Sequence, residues 1–165
     1  MDSKKSIYYF NIFLNITRTM YMNFEKEWDA EARLSGITYA QQHCLWLLHV
    51  QDGLTLEELG NIGQWNKSTT SALVSRLEKK NLIRKEKEER SRTIHIYLTD
   101  QGKEKIHDSL NTPEALKFLS MFDDVEEERF ARFLEEERKI MKLVLRENDE
   151  DINRFLLEYS QNLLK

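Results

Sequence analysis

The sequence predicts a mainly α-helical fold that contains one small β-hairpin. The 165 residues include only 5 glycines and 1 proline, which favours long helices joined by short connections. Apolar residues recur at helical spacing near both ends of the chain, and they alternate with polar residues between Ile94 and Leu98. The length fits one domain with an appended arm, and a hydrophobic content of 40% is sufficient for a core.

Composition excludes several classes of protein. No apolar run approaches the roughly 20 residues that are needed to span a bilayer, so we expect no membrane partner. Asparagines interrupt the short apolar stretch at the N-terminus and no small-residue cleavage site follows it, which argues against a signal peptide. The single cysteine excludes an internal disulfide and fits a reducing, cytoplasmic compartment.

A wide aromatic stripe marks the first predicted helix, from about residue 6 to about residue 33. The stripe recurs at helical spacing and consists of Phe10, Leu14, Tyr21, Phe24 and Trp28. Ser35 and Gly36 predict its end. We expect no N-terminal element for this helix to pack against, so its stripe should pack on later helices or on a second chain.

Two capping boxes mark the starts of the next two helices. In this motif the hydroxyl of the first residue accepts a hydrogen bond from the backbone N–H three residues later. The side chain of that later residue accepts a hydrogen bond from the backbone N–H of the first. Thr38 and Gln41 have the required spacing before a buried helix that runs to Val50. Thr55 and Glu58 have it before a short helix, which an Asp-Gly pair separates from the first.

The helix that follows has one apolar side and one side of short hydroxyl groups. We expect the preceding short helix to close at Gly63, and this one to end before Asn81, which tolerates a left-handed backbone. The apolar side consists of Thr70, Leu73, Val74 and Leu77. The opposite side, which we call the hydroxyl face, consists of Ser68, Ser71, Ser75 and Lys79.

The period then changes to that of a half-buried strand over Ile94, Ile96 and Leu98. The expected antiparallel partner is residues 83–85, and the charged residues 86–91 form a long, exposed tip. Beyond this two-stranded hairpin, Thr99-Asp100 and Thr112-Pro113 are start signals for further helices. An acidic amphipathic helix over 125–146 and a last short helix after 149–151 complete the prediction.

This order of helix, short helix, polar-faced helix and charged hairpin is typical of a winged helix-turn-helix. Short Ser and Thr side chains let a recognition helix approach base edges closely. Residues 67–92 contain nine basic and four acidic residues, a local balance of +5 in a chain of net charge −4. Much of the excess acid lies between residues 123 and 151, so the charge is distributed in a way that orients the chain on DNA.

Two stretches, STTSALVSRLEKKNLIRK and ERSRTIHIYLTDQGKE, resemble the MarR family of bacterial transcriptional regulators. The Ser-Thr pair, the Ser-Arg-Leu-Glu-Lys-Lys run and the Leu-Thr-x-x-Gly after the second wing strand all match. The segment HCLWLLHVQDGLTLEELG is also similar to that family, and most to its branch that represses protease production. At both ends of the chain the resemblance rests on helix pattern alone.

The resemblance implies a homodimer whose first and last helices interlace, and the surplus of apolar surface agrees with this. It implies a repressor that binds an inverted-repeat operator in double-stranded DNA, and a possible small-molecule effector. We therefore expect a dimerisation helix over residues 1–36, a winged DNA-binding domain over 37–102, and dimerisation helices over 103–165. No cofactor, metal or catalytic residue is expected.

The predicted DNA contacts fall into three groups. Those that read or position the major groove are Lys67, Ser68, Thr69, Thr70, Ser71, Ser75 and Arg76, of which Thr70 could equally face the core. Those that hold phosphates are Lys79 and Lys80. Those on the wing are Lys87, Arg90 and Arg92, which we expect near a minor groove.

The wing departs from the family pattern. The family has Asp-x-Arg at the tip, where the acid holds the arginine; here Arg92 matches the arginine, but Arg90 stands in place of the acid. Either the turn shifts so that Glu89 takes over that role, or the tip is looser.

Four alternatives compete with these interpretations. Cys44 could sense oxidants, as in some relatives, but its apolar neighbours favour core packing. The four histidines lack the spacing of metal ligands, and the glutamate runs read as a solvated helix face. A winged helix can also dock proteins, so an interaction module without specific DNA binding is the alternative function.

Overall fold

The computed structural model describes residues 2–88, 93–120, 122–145 and 150–164, apart from the side chains of residues 114 and 116–118. The helices it shows are α1 Ser3–Leu34, α2 Tyr39–Val50, α3 Leu56–Gly63, α4 Lys67–Lys79, α5 Asp100–Leu110, α6 Pro113–Ser120, α7 Glu127–Leu145 and α8 Glu150–Leu157, followed by a 3₁₀ helix Tyr159–Leu164. The strands are β1 Leu54–Thr55, β2 Ile83–Lys87 and β3 Ile94–Leu98. This confirms the predicted mainly α-helical fold with a small β element.

The chain divides into two compact units, Met1–Tyr39 and Ala40–Lys165. The first unit contains α1, whose C-terminal cap is Ser35, followed by Gly36 in a left-handed conformation with φ of 72°. Its N-terminal aromatic side chains are exposed, and Phe10 remains 63% accessible. The long N-terminal helix is confirmed, whereas the predicted boundary after residue 102 stays a prediction.

The second unit contains a three-stranded antiparallel sheet in the order β1-β3-β2. β2 pairs with β3 from Ile83 opposite Leu98 to Lys87 opposite Ile94. The predicted two-stranded hairpin was therefore incomplete, because β1 adds a third strand that is too short to show an alternating pattern. The tip is also shorter than predicted, since β2 continues through Lys87 and the Glu88 N–H donates to the Thr93 carbonyl at 3.2 Å.

Local capping signals positioned the helices of this unit correctly. The Thr55 hydroxyl accepts from the Glu58 N–H at 3.2 Å, and the Glu58 carboxylate accepts from the Thr55 N–H at 2.8 Å, so the capping box is present. α3 ends at Gly63 as predicted, but the left-handed residue is the next one, Gln64, with φ of 54°. A side chain at Gly63 would collide with the Trp65 ring, so the glycine makes room for that ring.

The core of this unit lies between the helices and the sheet. The predicted apolar sides of α2 and α4 face inward, and so do Ile96 and Leu98 of β3. Ile94, at the start of β3, is instead 46% exposed. The most deeply buried large side chains of the core are Leu45, Leu48, Leu59, Leu77, Ile83, Ile96 and Ile106. The position of α4 is thus set by the burial of one complete helix side.

The C-terminal helices match the predicted acidic, amphipathic pattern. On α7, Glu135 and Glu136 form ion pairs with Arg138 at 2.9 Å and with Lys139 at 2.7 Å. These carboxylates are solvated, as the sequence predicts. None of the helices in the described ranges combines the length and apolar character that crossing a bilayer requires.

Candidate nucleic-acid interface

The hydroxyl face of α4 is on the surface. Ser68, Ser71 and Lys79 are exposed and Ser75 is half-buried, while Leu73 and Leu77 on the other side are buried. This matches the sidedness predicted from the sequence. The face therefore presents hydroxyl groups from a helix whose opposite side is fixed in the core.

The start of α4 is held by a cap that also orders one of these hydroxyls. Asn66 Oδ1 accepts from the Thr69 N–H at 2.9 Å, and the Ser68 hydroxyl donates to the same oxygen at 2.7 Å. An amide or hydroxyl cap of this kind stabilises a helix by about 1 kcal/mol. The first turn of α4 consequently starts from a defined position.

Thr70 does not belong to the exposed set, and its assignment as a DNA contact is wrong in this structure. Its side chain is fully buried, and its hydroxyl donates to the Asn66 carbonyl at 3.0 Å. A methyl group added at Gly60 would lie 3.0 Å from its Oγ1. Thr70 therefore packs α4 closely against α3, as its place on the apolar side indicated.

Cations surround the hydroxyl face. Lys67, Arg76 and Lys80 are exposed, and Lys80 is the C-terminal cap of α4. The predicted contact Thr69 is exposed beside them. Arg76 and Lys79 lie in the last turn, where positive charge also favours the helix dipole.

Two basic residues of β2 have structural contacts that the sequence did not reveal. Arg84 donates to the Leu98 carbonyl at 3.0 Å, and its guanidinium lies 4.9 Å from the centre of the Tyr97 ring. Lys85 Nζ lies 2.6 Å from Glu78 Oε2, so an ion pair joins β2 to the last turn of α4. The wing and the helix are thus fixed relative to each other.

The far end of the wing is described only in part. Lys87 is exposed at the end of β2. Glu89, Arg90 and Arg92 lie outside the described residues, so the wing contacts and the role of Glu89 stay predictions.

The turn before α3 is also tied to the wing. Asp52 Oδ1 accepts from the Leu98 N–H at 2.8 Å, and His95 Nδ1 lies 2.8 Å from the Gly53 carbonyl oxygen. Gly53 has φ of 81°, and a side chain there would meet the Tyr97 ring. The Asp-Gly pair that predicted a helix break therefore also positions the wing.

Cys44 is a core residue. It is fully buried, and burial raises the pKa of its thiol to about 12. Burial lowers the pKa of the neighbouring His43, whose ring lies 5.4 Å from that of Trp65. This agrees with packing and not with an oxidant-sensing thiolate.

We expect iodoacetamide at pH 8 to modify Cys44 at least about 100-fold more slowly in the folded protein than in urea. The reactive species is the thiolate, and a raised pKa keeps the thiol protonated at this pH. Mass spectrometry of timed samples measures the rate. Equal rates in both conditions would show an accessible thiolate and revive the oxidant-sensing alternative.

Within the described residues no three His, Cys, Asp or Glu side chains come together in a way that could hold a metal ion. A cleft of about 360 Å³ lies where α3 meets α4 and has Trp65 and Lys67 in its wall. Nothing in its lining identifies a small-molecule effector, which stays a prediction.

Comparison with known proteins agrees with this geometry. The model of the MarR family matches residues 37–94. HTH-type transcriptional regulator Hpr from Halalkalibacterium halodurans is 27% identical over 115 residues, which cover 69% of this chain and 58% of that protein. Hpr from Shouchella clausii is 24% identical over 102 residues, or 61% of this chain and 52% of that protein. The chain thus spans little more than half the length of these curated relatives.

Solved structures share the fold. A structure of reduced AbfR bound to DNA superposes with a TM-score of 0.71 at 21% identity, covering 87% of this chain and 99% of that chain. A MepR–DNA complex from S. aureus gives a TM-score of 0.67 at 23% identity, covering 78% and 94%. A MarR-family regulator from Silicibacter pomeroyi gives 0.69 at 22% identity, covering 78% and 87%.

Proposed function

We propose that the chain is a non-catalytic transcriptional regulator of the MarR family, whose model matches residues 37–94, and that it binds double-stranded DNA. In this proposal it acts in the cytoplasm as a homodimer and represses transcription from an inverted-repeat operator. The hydroxyl face of α4 enters the major groove, and the wing lies along the neighbouring minor groove.

The sidedness of α4 carries this proposal. Leu73, Val74 and Leu77 are buried, so the helix cannot turn another side outward, and Ser68 and Ser71 are on its exposed side. α4 has 13 residues, about 20 Å at 1.5 Å per residue, which is sufficient to lie along a major groove about 12 Å wide. Serine and threonine have lower helix propensity than glutamate or lysine, so a plain solvated surface does not account for them.

In this proposal the cations around the hydroxyl face contact the DNA phosphates. Lys67, Arg76, Lys79 and Lys80 are exposed on or beside α4. Arg84 and Lys85 contact the Leu98 carbonyl and the Glu78 carboxylate, so we assign them to positioning the wing. Phosphate contacts of this kind supply affinity that depends on salt but not on sequence.

Homodimerisation is supported by apolar surface at both ends of the chain. Exposed side chains on α1 include Ile7, Tyr8 and Phe10, and those on α7 include Leu143 and Val144. Apolar patches of this extent mark interaction sites in soluble proteins. A two-fold dimer would place two recognition helices roughly 34–36 Å apart, or one turn of DNA.

A gel-shift experiment on random genomic fragments separates this function from the alternative interaction module. A regulator should retain a small set of fragments sharply, and rising salt should release them in a linear log–log relation. Absence of retention at low salt, with the protein folded, would contradict the proposed function and favour the module.

Changing Arg92 to alanine should weaken operator binding and reduce the salt slope by about one unit, since one phosphate or groove contact is lost. Fluorescence-anisotropy titrations at four salt concentrations measure both. Arg132→Ala is the matched control, because Arg132 is an exposed cation on α7 and its loss changes net charge equally. If the salt dependence of binding has the same slope for R92A as for R132A, Arg92 does not contact the DNA.

A further inference from the structure

The C-terminal segment of the chain lies on the winged-helix unit. We call residues 150–164 the C-terminal strap. At its start, Asn61 Nδ2 of α3 donates to Asp151 Oδ2 at 2.8 Å. Near its end, Asn162 Nδ2 donates to the Val50 carbonyl at 3.1 Å, at the end of α2. The strap therefore contacts α3 and the end of α2, the two helices immediately before α4.

The short helices α3 and α8 stabilise each other by packing. α3 and α8 have 8 residues each, and isolated helices shorter than about 12 residues are marginal in water. Ile152 and Phe155 of α8 are each only 8% exposed, and α8 contacts α3. Tertiary contact thus supplies the stability that neither short helix has alone.

Asn61 is close to the point where α3 turns into α4. Its carbonyl accepts from the Gln64 N–H at 3.3 Å and from Gln64 Nε2 at 2.7 Å. The next backbone bond, from the Trp65 N–H to the Gly60 carbonyl at 2.9 Å, leads directly to the Asn66 cap of α4. Displacement of Asn61 would therefore change the direction in which α4 leaves the turn.

One hydrogen bond links the strap to α7. Arg138 Nη1 donates to Asn153 Oδ1 at 3.5 Å, and Arg138 is also held by Glu135. α7 is one of the helices that we expect to form the dimer. The strap is thus hydrogen-bonded to α3 through Asp151 and to a predicted dimer helix through Asn153.

We propose that Asp151 is a positioning residue for DNA recognition. Its carboxylate holds Asn61 by a charge-assisted hydrogen bond and sets the orientation of α3 and α4 relative to α7. In the dimer this contact fixes the separation of the two recognition helices. The inference rests on the proposed function, because it concerns how that DNA-binding unit is aimed.

Asp151→Ala tests this, with Glu150→Ala as the matched control. Both changes remove one negative charge, but Glu150 is highly exposed and pairs with Arg154 inside its own helix. On a duplex selected by the wild-type protein, D151A should bind roughly fivefold more weakly and E150A as tightly as wild type. Duplexes with one base pair added or removed between half-sites should be rejected by wild type and E150A, but tolerated by D151A.

An exchange of the two partners keeps the test valid if D151A does not fold. Asn61→Asp alone opposes two carboxylates and should weaken binding, whereas the double variant N61D/D151N restores a donor and an acceptor and should recover tight, spacing-dependent binding. Equal affinity and spacing preference in D151A and E150A, or no recovery in the double variant, would overturn the role of Asp151. A wild-type protein that retains no duplex would instead contradict the proposed function itself.

Discussion

Changing Ser71 to glutamate is expected to lower the affinity for duplex DNA by roughly 100-fold or more, and to leave the fold and the oligomeric state unchanged. Ser71 is exposed at the middle of the hydroxyl face. A glutamate there holds the helix away from the base edges and directs a carboxylate at the phosphates, and opposed like charges cost several kcal/mol at an interface. Fluorescence anisotropy measures the affinity, and sedimentation velocity measures the oligomeric state.

Ser3→Glu is the control for the added charge, because Ser3 is exposed at the first position of α1, where an acidic side chain also suits the helix dipole. It should bind DNA nearly as well as the wild-type protein. If S71E binds as tightly as S3E, the side of α4 that meets DNA has been misassigned.

Changing Gly102 to alanine is expected to destabilise the winged domain. A Cβ at this position would overlap the carbonyl oxygen of Leu82, which accepts from the Thr99 N–H at 3.2 Å. The Gly102 N–H in turn donates to the Thr99 hydroxyl at 3.1 Å, which caps α5. Overpacking of this kind costs about 1–3 kcal/mol or more, and the better helix propensity of alanine recovers at most about 1 kcal/mol.

Urea unfolding followed by circular dichroism measures this cost as a lower midpoint at an unchanged slope. Lys103→Ala, at the next position and exposed, should unfold like the wild-type protein. An unchanged midpoint for G102A would show that the approach of α5 to Leu82 is not tight in solution. The prediction also gives a physical reason for the glycine of the Leu-Thr-x-x-Gly motif.

The features that the sequence predicts well are those set within a few residues. The Thr55 capping box, the left-handed Asn81 with φ of 57° and the sidedness of α4 all depend on neighbours in the chain. The spacing at which apolar residues recur identifies the buried side of a helix or strand, because those residues are removed from water on folding. The hydroxyl face could therefore be located without the structure.

The features that the sequence does not predict join distant parts of the chain. Strand β1 is two residues long and exists because Leu54 lies opposite Ile96. The bonds from Leu98 to Asp52 and from Asn61 to Asp151 cross 46 and 90 positions, and no local pattern signals either. The assignment of Thr70 as a DNA contact was wrong for a related reason. A threonine on the apolar side of a helix is compatible with the core and with the surface, and only the packing of α3 against α4 decides between them.

Selection from a random pool of duplex DNA tests the central claim most directly. The purified protein should enrich an inverted repeat whose half-site centres are about 10–10.5 base pairs apart, bound by two copies of the chain. Enrichment of no sequence at low salt, or of a single asymmetric site bound by one copy, would contradict a dimeric regulator that reads DNA through the hydroxyl face of α4.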